Sequence, residues 1–306
     1  MTLMPKKESV LGFKPTVLAR RAGSFELAGG VNKEASRITV HYYLPDGFTL
    51  DSKILLIIPG AGRNSFDYRN AWLQTAQEHN ILVAALGYPE NKYDLAAYNM
   101  GGVLKNFRAQ NIDTSSPGVI YAQDADIAFD INANKAEWLF NDFDRVFSFI
   151  KTATGATSPN YDIFGHSAGG QILHRLALFH PNSRANKIIA ANAGWYTLPD
   201  LATPPPTGLQ GIPINGVDLI ESFAADLTIL LGENDNSDTA GGTLLRTPII
   251  DQQGLGRLQR GQTFFKAGQD QAKSIGALYN WTLKLIPGVG HDFRAMSQAA
   301  AKIVVV

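Results

Sequence analysis

A serine flanked by glycines lies near the middle of the chain, in the run Gly165-His166-Ser167-Ala168-Gly169. A short apolar run ends there and a helix-like pattern follows at once, which predicts a strand, a sharp turn and a helix with Ser167 at the apex. Because the turn is tight, a side chain in place of either outer glycine would collide with neighbouring backbone. The pattern predicts a nucleophile elbow that exposes the Ser167 hydroxyl. It also places the backbone N–H of Ala168 at a helix N-terminus, where partial positive charge can stabilise an oxyanion.

A serine nucleophile needs a histidine base within hydrogen-bond reach and a carboxylate that orients this base. The chain has six histidines. His291 stands in a glycine-rich loop after the last predicted strand, so we predict His291 as the base. The remaining histidines lie in an early strand, at helix ends or around the elbow, where a structural role is the simpler interpretation; they are His41, His79, His166, His174 and His180.

The loop after the strand predicted at 227–231 offers the carboxylate. Its candidates are Glu233, Asp235 and Asp238. We predict Asp235, because a Gly-x-x-Asp ending is the usual position of the acid, and we keep Glu233 as the second candidate. The resulting chain order of serine, acid and histidine is one of the three orders known for such triads.

Two further loops complete the predicted site. The loop Pro59-Gly60-Ala61-Gly62 follows a buried apolar run and should supply the second oxyanion donor, for which the N–H of Ala61 is the first candidate and that of Gly62 the next. Trp195 follows another buried run and is predicted to bind substrate as an aromatic wall over an acyl group. Core packing beneath a Pro-rich connection is the alternative interpretation of Trp195.

Composition excludes several classes of function. The 306 residues carry a formal net charge of zero, which gives no reason to expect nucleic acid or an anionic membrane surface as a partner. The chain has no cysteine, so disulfides, thiolate catalysis and cysteine-ligated zinc are excluded. Asp124, Asp126 and Asp130 lack the glycine and terminal glutamate of a calcium loop, and we predict neither a metal nor a cofactor.

Targeting signals are not evident in the sequence. No apolar run approaches the roughly 20 residues that a membrane-spanning helix needs, and residues 1–21 lack the apolar segment of a signal peptide. As written the chain is predicted to be cytoplasmic; it would be periplasmic or secreted if a leader had been removed. The sequence leaves the oligomeric state open.

The order of elements predicts the fold class. Buried apolar runs alternate with helical patterns from residue 54 onward, which predicts an α/β fold with a mostly parallel, doubly wound sheet of about eight strands and helices on both faces. Functional residues gather at the carboxyl ends of such strands. We expect one domain over 1–306, with an arm or edge hairpin in residues 1–30. An irregular insertion at about 90–135 and a Pro-rich connection at about 197–225 should lie over the active-site edge. Helices are predicted, among others, at 68–80, 138–150 and 256–275.

Four segments carry a resemblance to a known family: residues 59–64 (Pro-Gly-Ala-Gly-Arg-Asn), 164–171 (Phe-Gly-His-Ser-Ala-Gly-Gly-Gln), 193–199 (Ala-Gly-Trp-Tyr-Thr-Leu-Pro) and 287–292 (Pro-Gly-Val-Gly-His-Asp). They resemble bacterial poly(3-hydroxybutyrate) depolymerase-like esterases of the α/β-hydrolase fold, including the lipoprotein-type members. The resemblance implies cleavage of carboxylic esters through an acyl-enzyme, on a small-molecule or polymeric substrate such as a polyhydroxyalkanoate or another small acyl ester. Two alternatives stay open: an amide or polyamide hydrolase of the polyaspartate type, and a non-catalytic binding protein of the same fold.

Overall fold

The computed structural model describes residues 17–237 and 241–306. Its strands, in chain order, are β1 (Arg21–Leu27), β2 (Ile38–Leu44), β3 (Ile54–Ile58), β4 (Leu82–Gly87), β5 (Leu104–Ala109), β6 (Val119–Tyr121), β7 (Ile127–Ile131), β8 (Tyr161–His166), β9 (Ala185–Ala191), β10 (Asp226–Gly232), β11 (Leu244–Arg246) and β12 (Thr282–Ile286). Its helices are α1 (Ser65–Asn70), α2 (Leu73–His79), α3 (Leu95–Tyr98), α4 (Phe140–Thr154), α5 (Ala168–Phe179), α6 (Gly216–Ala224), α7 (Pro248–Asp251), α8 (Arg257–Ser274) and α9 (Phe293–Val304).

Eight of the described strands form the central sheet, in the order β1-β2-β4-β3-β8-β9-β10-β12. β1 pairs antiparallel with β2, and β2 pairs antiparallel with β4. From β4 to β12 every neighbouring pair is parallel. The predicted fold class, a mostly parallel α/β sheet of about eight strands, is therefore confirmed. Of the arm or edge hairpin expected in residues 1–30, residues 1–16 lie outside the described part, and 21–27 form the edge strand β1.

The core has a layer on each face of the sheet, as the continuous apolar runs predict. Leu56 of β3 belongs to one buried cluster, whereas Leu55 and Ile57 belong to the other, and all three side chains are 0% exposed. Helices α4, α5, α6 and α8 contribute to the first cluster, and α1, α2 and α9 to the second. The sheet is thus a rigid platform whose strand ends can hold functional loops in place.

Three segments of the chain differ from the prediction. The single helix expected at 68–80 is two helices, α1 and α2, which are separated where the fully buried Trp72 packs on Phe164 at a ring distance of 5.3 Å. The insertion at 90–135 is not irregular, because it contains α3 and the antiparallel pair β5 and β7. The connection at 197–225 ends in α6, which begins at an Asn215 and Asp218 capping box.

Strand β6, in the insertion, pairs in parallel with β11, which lies beyond β10. The helix predicted at 256–275 is α8, and the segment between β10 and α8 contains two further elements, β11 and α7. A three-residue strand has too short a pattern to be recognised without its partner. None of the helices in the described ranges is long and apolar enough to cross a bilayer.

His174, on α5, is a core histidine with both ring nitrogens occupied. Its Nδ1 lies 3.2 Å from the Gly170 carbonyl oxygen, and its Nε2 lies 3.0 Å from the Thr197 backbone nitrogen, so the tautomer that donates from Nδ1 and accepts at Nε2 satisfies both contacts. Burial is the main cause that holds the pKa of His174 well below its ordinary value, and the positive charge of Arg175 is the second. The folded protein therefore keeps this imidazole neutral.

We expect His174 to make the fold sensitive to acid. Since its pKa is depressed in the folded state, the unfolded chain binds one more proton below about pH 6.5, and this group lowers the free energy of unfolding by about 1.4 kcal/mol per pH unit. The variant His174→Gln lacks this contribution. Urea titrations between about pH 6.5 and 4.5 should show the stability difference, wild type minus variant, shrinking by that amount per unit. A difference that stays constant with pH would contradict this expectation.

Candidate active site

The turn between β8 and α5 places Ser167 at the carboxyl edge of the sheet. Ser167 has a φ of 60° and a ψ of −116°, a conformation that L-residues rarely adopt. A Cβ on Gly169 would lie 2.0 Å from the Ile58 carbonyl oxygen, and one on Gly165 would lie 2.4 Å from the Gly169 carbonyl oxygen. These are the backbone collisions expected from the sequence. The turn is tight because the elbow packs directly on the end of β3.

Three distant segments bring a serine, a histidine and an aspartate into one hydrogen-bonded line. The His291 Nε2 lies 3.0 Å from the Ser167 Oγ, and the His291 Nδ1 lies 2.7 Å from the Asp235 Oδ2. The side chains of His291 and Asp235 are only 5% and 1% exposed. The imidazole contacts Asp235, and not the second candidate Glu233, while Asp238 lies outside the described residues. Because these two side chains are buried, water screens a charge on either of them poorly, and the charge interacts strongly with its neighbours.

Arg257, at the start of α8, contacts the other oxygen of Asp235. Its Nη1 donates to the Asp235 Oδ1 at 2.9 Å, and the two side chains are 2% and 1% exposed. Its Nη2 donates to the Thr243 carbonyl oxygen at 3.0 Å, so Arg257 links Asp235 to the segment before β11. Sequence reasoning missed Arg257, because an arginine in an amphipathic helix ordinarily faces solvent and nothing local marks its distant partner.

Replacing Arg257 with leucine should destabilise the fold. The free energy of unfolding is expected to fall by about 3–5 kcal/mol, because the buried Asp235 carboxylate loses its cationic partner. Chemical denaturation measures this change. Combining Arg257→Leu with Asp235→Asn should cost less than the sum of the single changes, since the variants share one interaction.

A matched control is available at an exposed ion pair. Arg37 and Glu26 lie 3.6 Å apart with side chains that are 67% and 54% exposed. Arg37→Ala is expected to change stability by less than about 1 kcal/mol. If both arginine variants lost the same free energy of unfolding, the buried ion pair would contribute no more to stability than the exposed one.

Asn192 links the loop that carries His291 to the loop that carries Asp235. It follows β9 directly, is fully buried and has a φ of 45°. Its Nδ2 donates to the Gly290 carbonyl oxygen at 3.0 Å, and its Oδ1 accepts the Gly232 N–H at 2.8 Å. One amide thus bridges the ends of the segments that precede His291 and Asp235. The sequence contained a signal for this, since a polar amide comes directly after a buried apolar run.

Two groups pack against the His291 imidazole. The His166 ring lies 4.5 Å away between centroids, and a Cβ on Gly242 would lie 2.6 Å from the His291 Cδ2. Burial, followed by the electrostatic influence of the neighbouring His291 and Arg257 side chains, lowers the pKa of His166 well below its ordinary value. His166 is therefore neutral, with its Nδ1 3.1 Å from the Tyr68 hydroxyl. Sequence reasoning missed Gly242, which lies in a glycine-rich loop without a distinctive pattern.

The loop after β3 lies against the elbow. A Cβ on Gly60 would lie 3.3 Å from the Ser167 Cβ and 2.9 Å from the Tyr68 hydroxyl oxygen. Ala61, Ser167 and Ala168 line one cavity. In residues 17–237 and 241–306, the N–H groups of Ala61 and Ala168 donate to no backbone carbonyl. Both donors are available to an oxygen atom of a bound molecule.

The cavity above Ser167 is a cleft of about 500 Å³. Its floor includes Gln171 and Gly194, and its apolar walls come from the insertion and from β11: Phe107, Ala109, Ile112, Ile120, Ile127 and Leu245. Its charged wall residues are Arg63, Glu90 and Asp94. The described residues contain no group of three or more histidine, aspartate or glutamate side chains that could hold a metal ion. The cleft suits an apolar ligand with a polar group near Ser167.

Trp195, which follows β9, lines this cleft with a residue exposure of 2%. Its ring also packs under the Arg175 guanidinium at 4.5 Å, and it belongs to a small core cluster with Met100, Leu104 and Ile250. The position of Trp195 is consistent with both sequence interpretations, because the residue forms part of the cleft wall and is also anchored by packing.

Solved structures of other proteins match nearly the whole chain. Poly(aspartic acid) hydrolase-1 from Sphingomonas sp. KT-1 is 36% identical, with a TM-score of 0.80, over 94% of this chain and 99% of that chain. LpqC, a poly(3-hydroxybutyrate) depolymerase from Bordetella parapertussis, is 29% identical, with a TM-score of 0.79, over 94% of this chain and 90% of that chain.

A more distant likeness concerns the fold alone. FphF, a fluorophosphonate-binding serine hydrolase from Staphylococcus aureus, is 15% identical, with a TM-score of 0.51, over 93% of this chain and 97% of that chain. No protein-family model matches the sequence, and no curated protein matches it.

Proposed function

We propose that this chain, which belongs with poly(aspartic acid) hydrolase-1 to the α/β-hydrolase family of serine hydrolases, cleaves uncharged carboxylic esters through an acyl-enzyme. Ser167 is the nucleophile, His291 the general base and Asp235 the residue that orients the imidazole. The hydrogen bonds of 3.0 Å and 2.7 Å along this line support these roles, since they give a proton a direct route from Ser167 to His291.

The reaction follows from this arrangement. The Ser167 Oγ attacks the ester carbonyl while the His291 Nε2 takes its proton, and the Asp235 carboxylate stabilises the imidazolium that forms. The backbone N–H groups of Ala61 and Ala168 stabilise the negative oxygen of the tetrahedral intermediate. The intermediate collapses as His291 gives its proton to the departing alcohol. Water, activated by His291, then releases the acid from Ser167.

The observation that carries the choice of an uncharged ester is the character of the cleft. The walls that the insertion and β11 supply are apolar, and the two carboxylates of the cleft, Glu90 and Asp94, outnumber the single guanidinium of Arg63. That guanidinium also lies 3.5 Å over the Tyr98 ring. The two carboxylates exceed the one guanidinium by a single negative charge, although the Asp94 Oδ1 also accepts the Ala97 N–H at 2.8 Å. This net charge would repel a polyanion entering the cleft.

Hydrolysis of a polyanionic amide is the second candidate. The 36% identity with poly(aspartic acid) hydrolase-1 favours it. The shared fold supplies the same loops for both reactions, so the fold alone does not separate them. The charge of the cleft argues for the ester.

A substrate comparison tests the proposal. We expect measurable kcat/KM for p-nitrophenyl butyrate and for short 3-hydroxybutyrate oligoesters, and values at least about a hundredfold lower for the matched butyryl p-nitroanilide. Poly(aspartic acid) should be a poor substrate, and its hydrolysis should not improve at low salt, where attraction to a basic cleft would appear. Efficient cleavage of poly(aspartic acid), with weak esterase activity, would overturn the proposal in favour of the second candidate.

A further inference from the structure

A second cavity, of about 130 Å³, adjoins the cleft above Ser167. The two cavities have five wall residues in common: Leu95, Phe107, Ile127, Trp195 and Leu245. These residues come from the insertion, from the loop after β9 and from β11. A molecule in the cleft therefore lies against the same apolar residues that border the second cavity.

The far end of the second cavity is also apolar, with Phe129, Pro205, Pro206 and Ile249 among its walls. Its polar wall residues are Asp124 and Thr247. Both Asp124 carboxylate oxygens lie 3.2 Å from the Ile249 backbone nitrogen, and the Thr247 hydroxyl accepts the Ile250 N–H at 3.3 Å as the N-cap of α7. Their oxygens already hold the backbone in place. The cavity thus suits a group without charge.

The walls are held by buried hydrogen bonds. Arg260, which is 0% exposed, donates through Nη1 to the Gly194 carbonyl oxygen at 2.8 Å and to the Leu245 carbonyl oxygen at 3.0 Å. The Gln253 side chain accepts the Tyr196 N–H at 3.0 Å and donates to the Tyr196 carbonyl oxygen at 2.7 Å. Trp195 is consequently anchored on both sides, and the space exists before a ligand enters. A preformed site avoids the entropic cost of ordering loops.

We propose that this cavity receives the alkyl or aryl end of an ester whose carbonyl group lies at Ser167, and that it makes the protein selective for medium-length, uncharged chains. The inference rests on the proposed ester hydrolysis and specifies its substrate class. A cavity of this size holds a group about as large as a benzene ring. Either side of the ester, acyl or alkoxy, can supply such a group.

Substitution of Ile249 tests the proposal, because Ile249 lines the second cavity but not the cleft above Ser167. Two substrate series separate the sources: p-nitrophenyl acetate against p-nitrophenyl hexanoate for the acyl side, and ethyl acetate against hexyl acetate for the alkoxy side. In Ile249→Trp we expect kcat/KM for the six-carbon member of one series to fall at least about tenfold, with its two-carbon member within about twofold of wild type. Ile249→Ala, tested with the same series extended to four, eight and ten carbons, should shift the chain-length optimum to longer chains.

Ile220→Trp is the matched control, since Ile220 lies on α6, is 46% exposed and lines neither cavity. It should leave every ratio unchanged. Equal losses for two-carbon and six-carbon esters in Ile249→Trp, or no loss at all, would overturn the proposal. If Ile249→Trp does not fold, an unchanged chain-length optimum in Ile249→Ala overturns it equally. Failure of the ester proposal itself looks different: the wild-type protein would then cleave no ester of either series.

Discussion

Ser167→Ala is expected to lower kcat for p-nitrophenyl butyrate by about 10⁴- to 10⁶-fold. The Ser167 Oγ lies 3.0 Å from the His291 Nε2, and in the proposed mechanism it is the atom that forms the bond to the acyl group. Stability should hardly change, because alanine tolerates the φ of 60° no worse than serine does. Steady-state kinetics together with thermal unfolding check both expectations in the same preparation.

The control for this substitution is Ser274→Ala. Ser274 is exposed at the end of α8, where its hydroxyl donates to the Gln271 carbonyl oxygen. Wild type and Ser274→Ala should both react with a fluorophosphonate probe, and Ser167→Ala should not. Labelling of Ser167→Ala at the wild-type rate would mean that another residue is the nucleophile.

Asp235→Asn is expected to lower kcat by about 10⁴-fold, the scale found when a triad aspartate becomes an amide. Arg257 makes the reason specific to this protein. Because Arg257 only donates, the oxygen of the substituted amide should face its Nη1, at the position where the Asp235 Oδ1 now accepts at 2.9 Å. The amide NH₂ then faces the His291 Nδ1. This arrangement favours the imidazole tautomer with its proton on Nε2, which cannot take a proton from Ser167.

Glu233→Gln is the matched control for the acid, since Glu233 was the alternative candidate in the same loop. Its kcat should stay within about twofold of wild type. A large loss in Glu233→Gln with normal activity in Asp235→Asn would reverse the assignment of the acid. Nuclear magnetic resonance of the imidazole nitrogens in Asp235→Asn would report the tautomer directly.

The sheet and the positions around it were accessible from the sequence for a physical reason. Continuous apolar runs mark parallel strands, and the carboxyl ends of these strands meet at one edge. Loops that follow such runs must therefore lie near each other, whatever their separation in the chain. The proximity of Ser167 to His291, 124 residues apart, depends on this rule and on the short loops that carry them.

The support around the site was not accessible in the same way. Arg257 lies 22 residues from Asp235 in the chain, and Asn192 bridges two separate loops. Neither contact therefore leaves a periodic pattern in the sequence. The apolar walls of the cleft were equally hard to predict from the sequence. Its strands β6 and β11 are three residues each, and they are defined by their pairing rather than by their composition. Non-local contacts decided these features.

The pairing of β6 with β11 ties together two loops that leave the sheet at different strands. A residue inserted or lost within β6 would shift the register of Leu244 against Val119, and with it the wall that Leu245 supplies to both cavities. Natural variation in the two loops should consequently be coupled. A descendant of this protein that acquires a new substrate range by changing one loop would have to change the length or the side chains of the other as well.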